Sequence, residues 1–138
     1  MKKSKNLLFI ILMLSCLQAT CQDHQPEEID NDLQSCLDGT DMVTAAMYSC
    51  YTQATKRWDL KLDTLYQKLI KSLNPTTKQS LIQSQQQWLK YKEVEFQLIE
   101  VASGSGTMWN WVVLGKKMSV IRQRVYTLNG ILENLDDY

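Results

Sequence analysis

The chain has 138 residues, a formal net charge of zero and 44 % apolar residues. That is enough for one domain with its own core, and the composition is that of an ordinary globular chain. It excludes a strongly basic nucleic-acid binder and an acidic, core-poor disordered chain.

The N-terminus carries an export pattern. Lys2, Lys3 and Lys5 precede a continuous apolar run over 7–14, which is too short to span a bilayer comfortably. Three processing readings compete. Ala19-Thr20-Cys21 places small residues at −3 and −1 of an ordinary cleavage site. Met13-Leu14-Ser15-Cys16 is an imperfect lipoprotein box that would acylate Cys16 and tether the chain to the membrane. An uncleaved anchor is the third. Cysteine arithmetic favours the first, because a cut after Cys21 leaves an even pair, Cys36 and Cys50, whereas lipidation at Cys16 leaves Cys21 as an odd thiol in an oxidising compartment. The expected signal is 1–21 and the expected location is the periplasm, with a lipid anchor at the envelope as the alternative. Losing three lysines and no acid leaves 12 basic against 15 acidic residues, a net charge of −3. That disfavours nucleic acid as a partner.

Residues 22–39 are polar and acidic, with Glu27, Glu28, Asp30 and Asp32, and read as a flexible leader. His24 lies there with no ligand spacing around it. Residues 40–138 form the helical domain. Its first helix is expected from Thr40 or Asp41, either able to cap, to Leu73, with Trp58, Leu62, Leu65, Tyr66, Leu69 and Leu73 in helical period. Asn74 and Pro75 then supply a cap and a first-turn residue for the second helix, expected over 76–102.

That second helix holds the stretch 81–96. Leu81, Gln85, Trp88 and Lys92 form one stripe, with Leu89, Phe96 and Ile99 beside it. Other helices should pack around Trp88, and Gln85 needs a hydrogen-bond partner if covered. Ser103-Gly-Ser-Gly-Thr107 breaks the helix. The third starts near Met108, where Met118, Ile121, Val125, Leu128, Leu132 and Leu135 step by three and four; Gly130 is a mild internal weakness. The spacing predicts an all-α, up-down-up antiparallel three-helix bundle with a disulfide-tethered N-terminal leader. A Cys36–Cys50 bond would close a loop of about 15 residues, worth on the order of 3 kcal/mol. A reactive thiol pair is the competing reading, without Cys-x-x-Cys spacing behind it.

Several segments in order resemble one family. They are Cys36 with Thr44, Met47 and Cys50; Asp59-x-x-Leu62-Asp63-x-x-Tyr66; Gln85-x-x-Trp88-x-x-Tyr91-Lys92-Glu93; and Gly115 followed nine residues on by Arg124. Together they resemble the LprI-type domain, the lysozyme-inhibitor-like domain of bacterial envelope proteins. The resemblance implies an exported, non-enzymatic protein whose partner is a lysozyme or another cell-wall hydrolase. The family usually has asparagine at Asp63, arginine at Lys92, aspartate at Glu93, and cysteines at the positions of Phe96 and Lys116. Joint absence of those two cysteines fits loss of one whole disulfide.

Read from the residues, Asp59, Asp63, Tyr66, Gln85, Trp88, Tyr91, Glu93 and Arg124 form a structural polar and aromatic set. Arg124 is expected to make a charge-assisted fork with Asp59, Asp63 or Glu93 and so fix helix register. No catalytic arrangement is legible: no Ser/His/Asp or Cys/His set, no metal-ligand spacing and no phosphate loop, so no metal or cofactor is expected. Asp59 and Asp63 could serve acid–base work only beside a cleft. The expected job is binding, through Ser103, Thr107, Met108, Trp109, Asn110 and Trp111, unless Trp109 or Trp111 merely closes the end of the bundle. A structural or accessory envelope module is the second functional class.

Overall fold

The computed structural model describes residues 28–104, 106 and 109–136. The expected signal, both processing sites and His24 lie outside these residues. Among the described residues there are four helices and no strand: α1 (Glu28–Asp38), α2 (Thr44–Ser72), α3 (Pro75–Ala102) and α4 (Asn110–Asp136). The expected three-helix bundle therefore needs correcting to four helices.

The additional helix is α1, from Glu28 onward in what reads as a flexible leader. Glu28 and Asp30 sit in its first turn, where carboxylates complement the helix dipole. Ile29 is buried in the core and Leu33, one turn on, packs against it. Four apolar residues over eleven are too few to announce a helix by periodicity, and docking supplies what propensity does not. Three links fix α1. The disulfide joins Cys36 to Cys50 with Cα atoms 5.8 Å apart. Arg57 of α2 pairs with Asp32 and Glu28. Arg122 of α4 donates to Asp30 at 3.0 Å.

The expected start of the long helix at Thr40 or Asp41 is also corrected. The Thr40 amide and hydroxyl both donate to the Leu37 carbonyl, at 3.0 and 2.8 Å, so Thr40 closes α1. Asp41 and Met42 then take φ of 47° and 60°, left-handed values that turn the chain before α2 begins. The next boundary follows the sequence. The Asn74 side chain accepts from the Thr77 amide at 3.0 Å and Pro75 occupies the first turn of α3.

Cross-contacts set the helix directions. Cys36–Cys50 and Asp32–Arg57 run in opposite order along α1 and α2, so these are antiparallel. Gln85–Arg124 and Ser103–Lys116 do the same for α3 and α4. Tyr51–Trp111 and Trp58–Tyr126 run in the same order, so α2 and α4 are parallel and form the most extensive pair.

The core runs along that pair: Ala54, Trp58, Leu62, Leu65 and Leu69 meet Met118, Ile121, Val125, Leu128 and Leu132. Each fully buried aliphatic side chain there stabilises by roughly 1.5–3 kcal/mol. The tryptophan at its centre is Trp58, 0 % exposed, whereas Trp88, expected as the organising aromatic, is only half-buried. Leu89 and Leu135, placed on apolar stripes by spacing, face solvent.

Gly115 admits the close approach of α4 to α2. A Cβ there would stand 3.0 Å from Cε1 of Tyr51, whose ring is stacked on Trp111. Around positions 96 and 116, α3 and α4 are held by polar and cation–aromatic contacts. Lys117 pairs with Glu100 and lies over the Phe96 ring at 5.2 Å, and Lys116 donates to Ser103.

Candidate binding surface

The polar set closes around Arg124, but not with the expected partners. Arg124 is buried, 9 % exposed. Its Nε and Nη2 both donate to Oε1 of Gln85 at 3.0 Å, and Nη2 also donates to Ser84 at 3.1 Å. The fork to Asp59, Asp63 or Glu93 is not formed; no carboxylate lies within ion-pair distance of Arg124 among the described residues. Gln85 thus finds the partner that its position demands. The physical reason is register: α3 is turned so that Gln85 and Ser84 reach Arg124 of α4, and the carboxylates of Asp59, Asp63 and Glu93 do not.

Trp88 lies in the same cluster, with the Arg124 guanidinium 5.7 Å and the Lys92 ammonium 5.3 Å from its ring. Burial lowers the Arg124 pKa below its ordinary value, yet a guanidinium stays charged at neutral pH. Desolvation raises the Asp59 carboxyl above its ordinary value, and nearby Lys92 partly opposes this. Tyr66 packs on the core from the α2 side. Asp59 and Asp63 are both exposed, and neither lines the groove between α3 and α4 or the two cavities beside α1 and α2.

The proposed partner-binding segment divides. Ser103 ends α3, its amide bonded to the Ile99 carbonyl and its hydroxyl accepting from Lys116. Trp111 is half-buried and stacks on Tyr51 with ring centres 5.8 Å apart, so it closes the bundle end. Trp109 is 48 % exposed, and Asn110, also exposed, opens α4. Thr107 and Met108 lie outside the described residues.

A second apolar face of α3 was not expected from the sequence. Tyr91, Val94, Leu98 and Val101 step by three, four and three along the helix, and all are exposed, Val101 at 84 %. That spacing makes a continuous apolar ridge leading toward the turn that holds Trp109. The signal was present in the sequence, but the stripe through Trp88 absorbed the helix's expected packing face.

Beside the ridge, between α3 and α4, runs an open groove of about 580 Å³ lined by Trp88, Tyr91, Glu95, Ile99, Lys116, Val120 and Arg124, among others. Among the described residues no cluster of His, Cys, Asp or Glu could hold a metal ion, and no helix is long and apolar enough to cross a membrane.

Comparison with known proteins agrees with the sequence resemblance. No curated protein matches the chain. Among solved structures, an uncharacterised protein from Burkholderia thailandensis superimposes with a TM-score of 0.71 at 24 % identity, over 80 % of this chain and 56 % of that one. This supports the fold alone, and the chain spans little more than half of that protein's length. A model of the family described as lysozyme inhibitor LprI matches residues 36–128. That span runs from the first cysteine of the disulfide to the last turns of α4 and includes the Gln85–Arg124 contact, and on it the chain belongs to the LprI lysozyme-inhibitor family.

Proposed function

We propose that the chain is an exported binding protein that inhibits a lysozyme or another cell-wall hydrolase by non-covalent contact, without catalysis of its own. Family membership supports the class of target. The observation that carries the contact surface is the exposure of Trp109, just before α4, and of Leu98 and Val101, in the last turns of α3, on either side of the turn that joins the two helices. Large apolar groups grouped on a surface are the usual anchors of a protein interface. Trp111, held on Tyr51, supports that end rather than reaching outward.

The net charge of −3 expected after signal removal suits a basic hydrolase and would speed encounter more than it tightens binding. The same reading places the mature protein in the periplasm, or on the envelope if Cys16 is lipidated. Purified mature protein in a lysozyme turbidity assay is the test. Clearing should slow, and Trp109→Ala or Leu98→Ala should weaken the inhibition while leaving the melting temperature near that of the parent. No slowing at a large molar excess removes the proposal and leaves an accessory envelope module as the better reading.

A further inference from the structure

We infer that the groove between α3 and α4 is a binding site for small molecules carrying one carboxylate and an apolar body, with Nη1 of Arg124 as the anchor for the carboxylate. The inference does not rest on hydrolase inhibition.

It starts from an imbalance of charge. Arg124 is buried and fully charged, yet its partners, Gln85 and Ser84, are neutral. A buried cation is ordinarily matched by an anion, because neutral dipoles replace only part of its lost hydration. The three bonds use the hydrogens of Nε and Nη2. Nη1 donates to no protein group among the described residues and is not sealed from solvent, while Arg124 lines the groove. Gln85 and Trp88 fix the guanidinium from one side, so its free edge is presented without further ordering.

The walls then select the rest of the ligand. Trp88, Tyr91, Val120 and Ile99 offer apolar and aromatic surface. Glu95 lies one turn beyond Tyr91 on the same groove and forms no ion pair within 4 Å among the described residues. A second negative charge on the ligand would meet it. In the direction of α3 the charges come in the order Arg124, Glu95, Lys116, and the Lys116 ammonium is already bonded to Ser103, so a second carboxylate close to the first meets Glu95 and a monocarboxylate is favoured over a dicarboxylate. The volume of about 580 Å³ suits a molecule of amino-acid to dipeptide size.

The full mature chain is titrated with N-acetylphenylalanine, with its neutral amide, and with N-acetylglutamate, while side-chain Nε–Hε signals are followed by NMR. The chain has three arginines, so the Arg124 signal is separable from those of Arg57 and Arg122. N-acetylphenylalanine should shift the Arg124 signal saturably, and the amide and the dicarboxylate should bind at least about tenfold more weakly. Glu95→Gln, on the groove wall, should narrow the gap between the two acids. The site is disproved if the amide binds as well as the acid, if the Arg124 signal does not move, or if Glu95→Gln leaves the preference between acids unchanged.

Discussion

Arg124 gives two of its hydrogen bonds to a single neutral atom, Oε1 of Gln85, each at 3.0 Å. An amide oxygen accepts both without bringing a formal charge into the interface, so the pair fixes α3 against α4 while the guanidinium charge stays uncompensated by protein. The two residues should therefore respond asymmetrically to substitution. Gln85→Leu strands a buried charge beside an apolar group and should cost about 1–3 kcal/mol. Arg124→Met removes the charge along with its need for partners and should cost less, since a buried ionic group replaced by a hydrophobe is often near neutral. The double variant should be no less stable than Gln85→Leu alone, a coupling of about 1 kcal/mol or more. Urea unfolding of the four proteins measures this, and strictly additive effects would rule out the pair as a unit.

How far this site could be read from sequence is clear from the same two residues. Gln85 one turn before Trp88 signalled a covered amide, and Arg124 beside an apolar seam signalled a covered cation. What sequence could not decide was which of several polar groups faced α4. Asp59, Asp63 and Glu93 are charged and well spaced, and charge complementarity alone favours them. The rotational setting of α3 decides for Gln85 instead. The long helices were legible because Met118, Ile121, Val125, Leu128 and Leu132 keep an unbroken period and all are buried. The short α1 was not, because its stability comes from the disulfide, from Ile29 in the core and from Asp30 and Asp32 reaching two other helices. None of these is a local signal.

The disulfide yields a regional prediction. It closes a loop over a sequence separation of 14 and ties α1 to α2. Replacing Cys36 and Cys50 by serine should lower stability by about 3 kcal/mol. The loss should be uneven, since α1 depends on the link while the core between α2 and α4 does not. Amide exchange should accelerate across residues 28–38 well before it does at Leu62, Leu69 or Leu128. Uniform acceleration throughout would mean that α1 is integral to the cooperative core.

The two glycines of α4 should respond with opposite signs. Both sit in a helix, where alanine is favoured over glycine by about 1 kcal/mol. A Cβ at Gly130 meets nothing within 4 Å, so Gly130→Ala should stabilise by about 0.5–1 kcal/mol. A Cβ at Gly115 meets the Tyr51 ring at 3.0 Å, and Trp111 stacked on that ring limits its retreat. Gly115→Ala should therefore lose the propensity gain and destabilise by about 1–3 kcal/mol, as overpacking does. Thermal melts of the two variants check this. A stabilising Gly115→Ala would show that the Tyr51–Trp111 stack yields easily.

Asp59 gives a prediction in pH. Its folded pKa is raised above the ordinary 3.8, chiefly by desolvation, with Lys92 opposing. A carboxyl with a raised folded pKa holds its proton more tightly folded than unfolded. Ionising it then costs stability, fully so above the folded pKa, and the cost disappears below the unfolded pKa. Asp59→Asn, which keeps the shape and removes the ionisation, should accordingly raise the denaturation midpoint slightly at pH 7. The difference should shrink as pH falls through the folded pKa and vanish at the acid end. Because Asp59 is exposed, solvent screening keeps the effect small. Lys92→Met should raise the Asp59 pKa further, so that the gain from Asp59→Asn at pH 7 is larger in that background than in the parent. Denaturation midpoints across this range decide the matter: a wild type more stable than Asp59→Asn at neutral pH would mean that attraction to Lys92 outweighs desolvation.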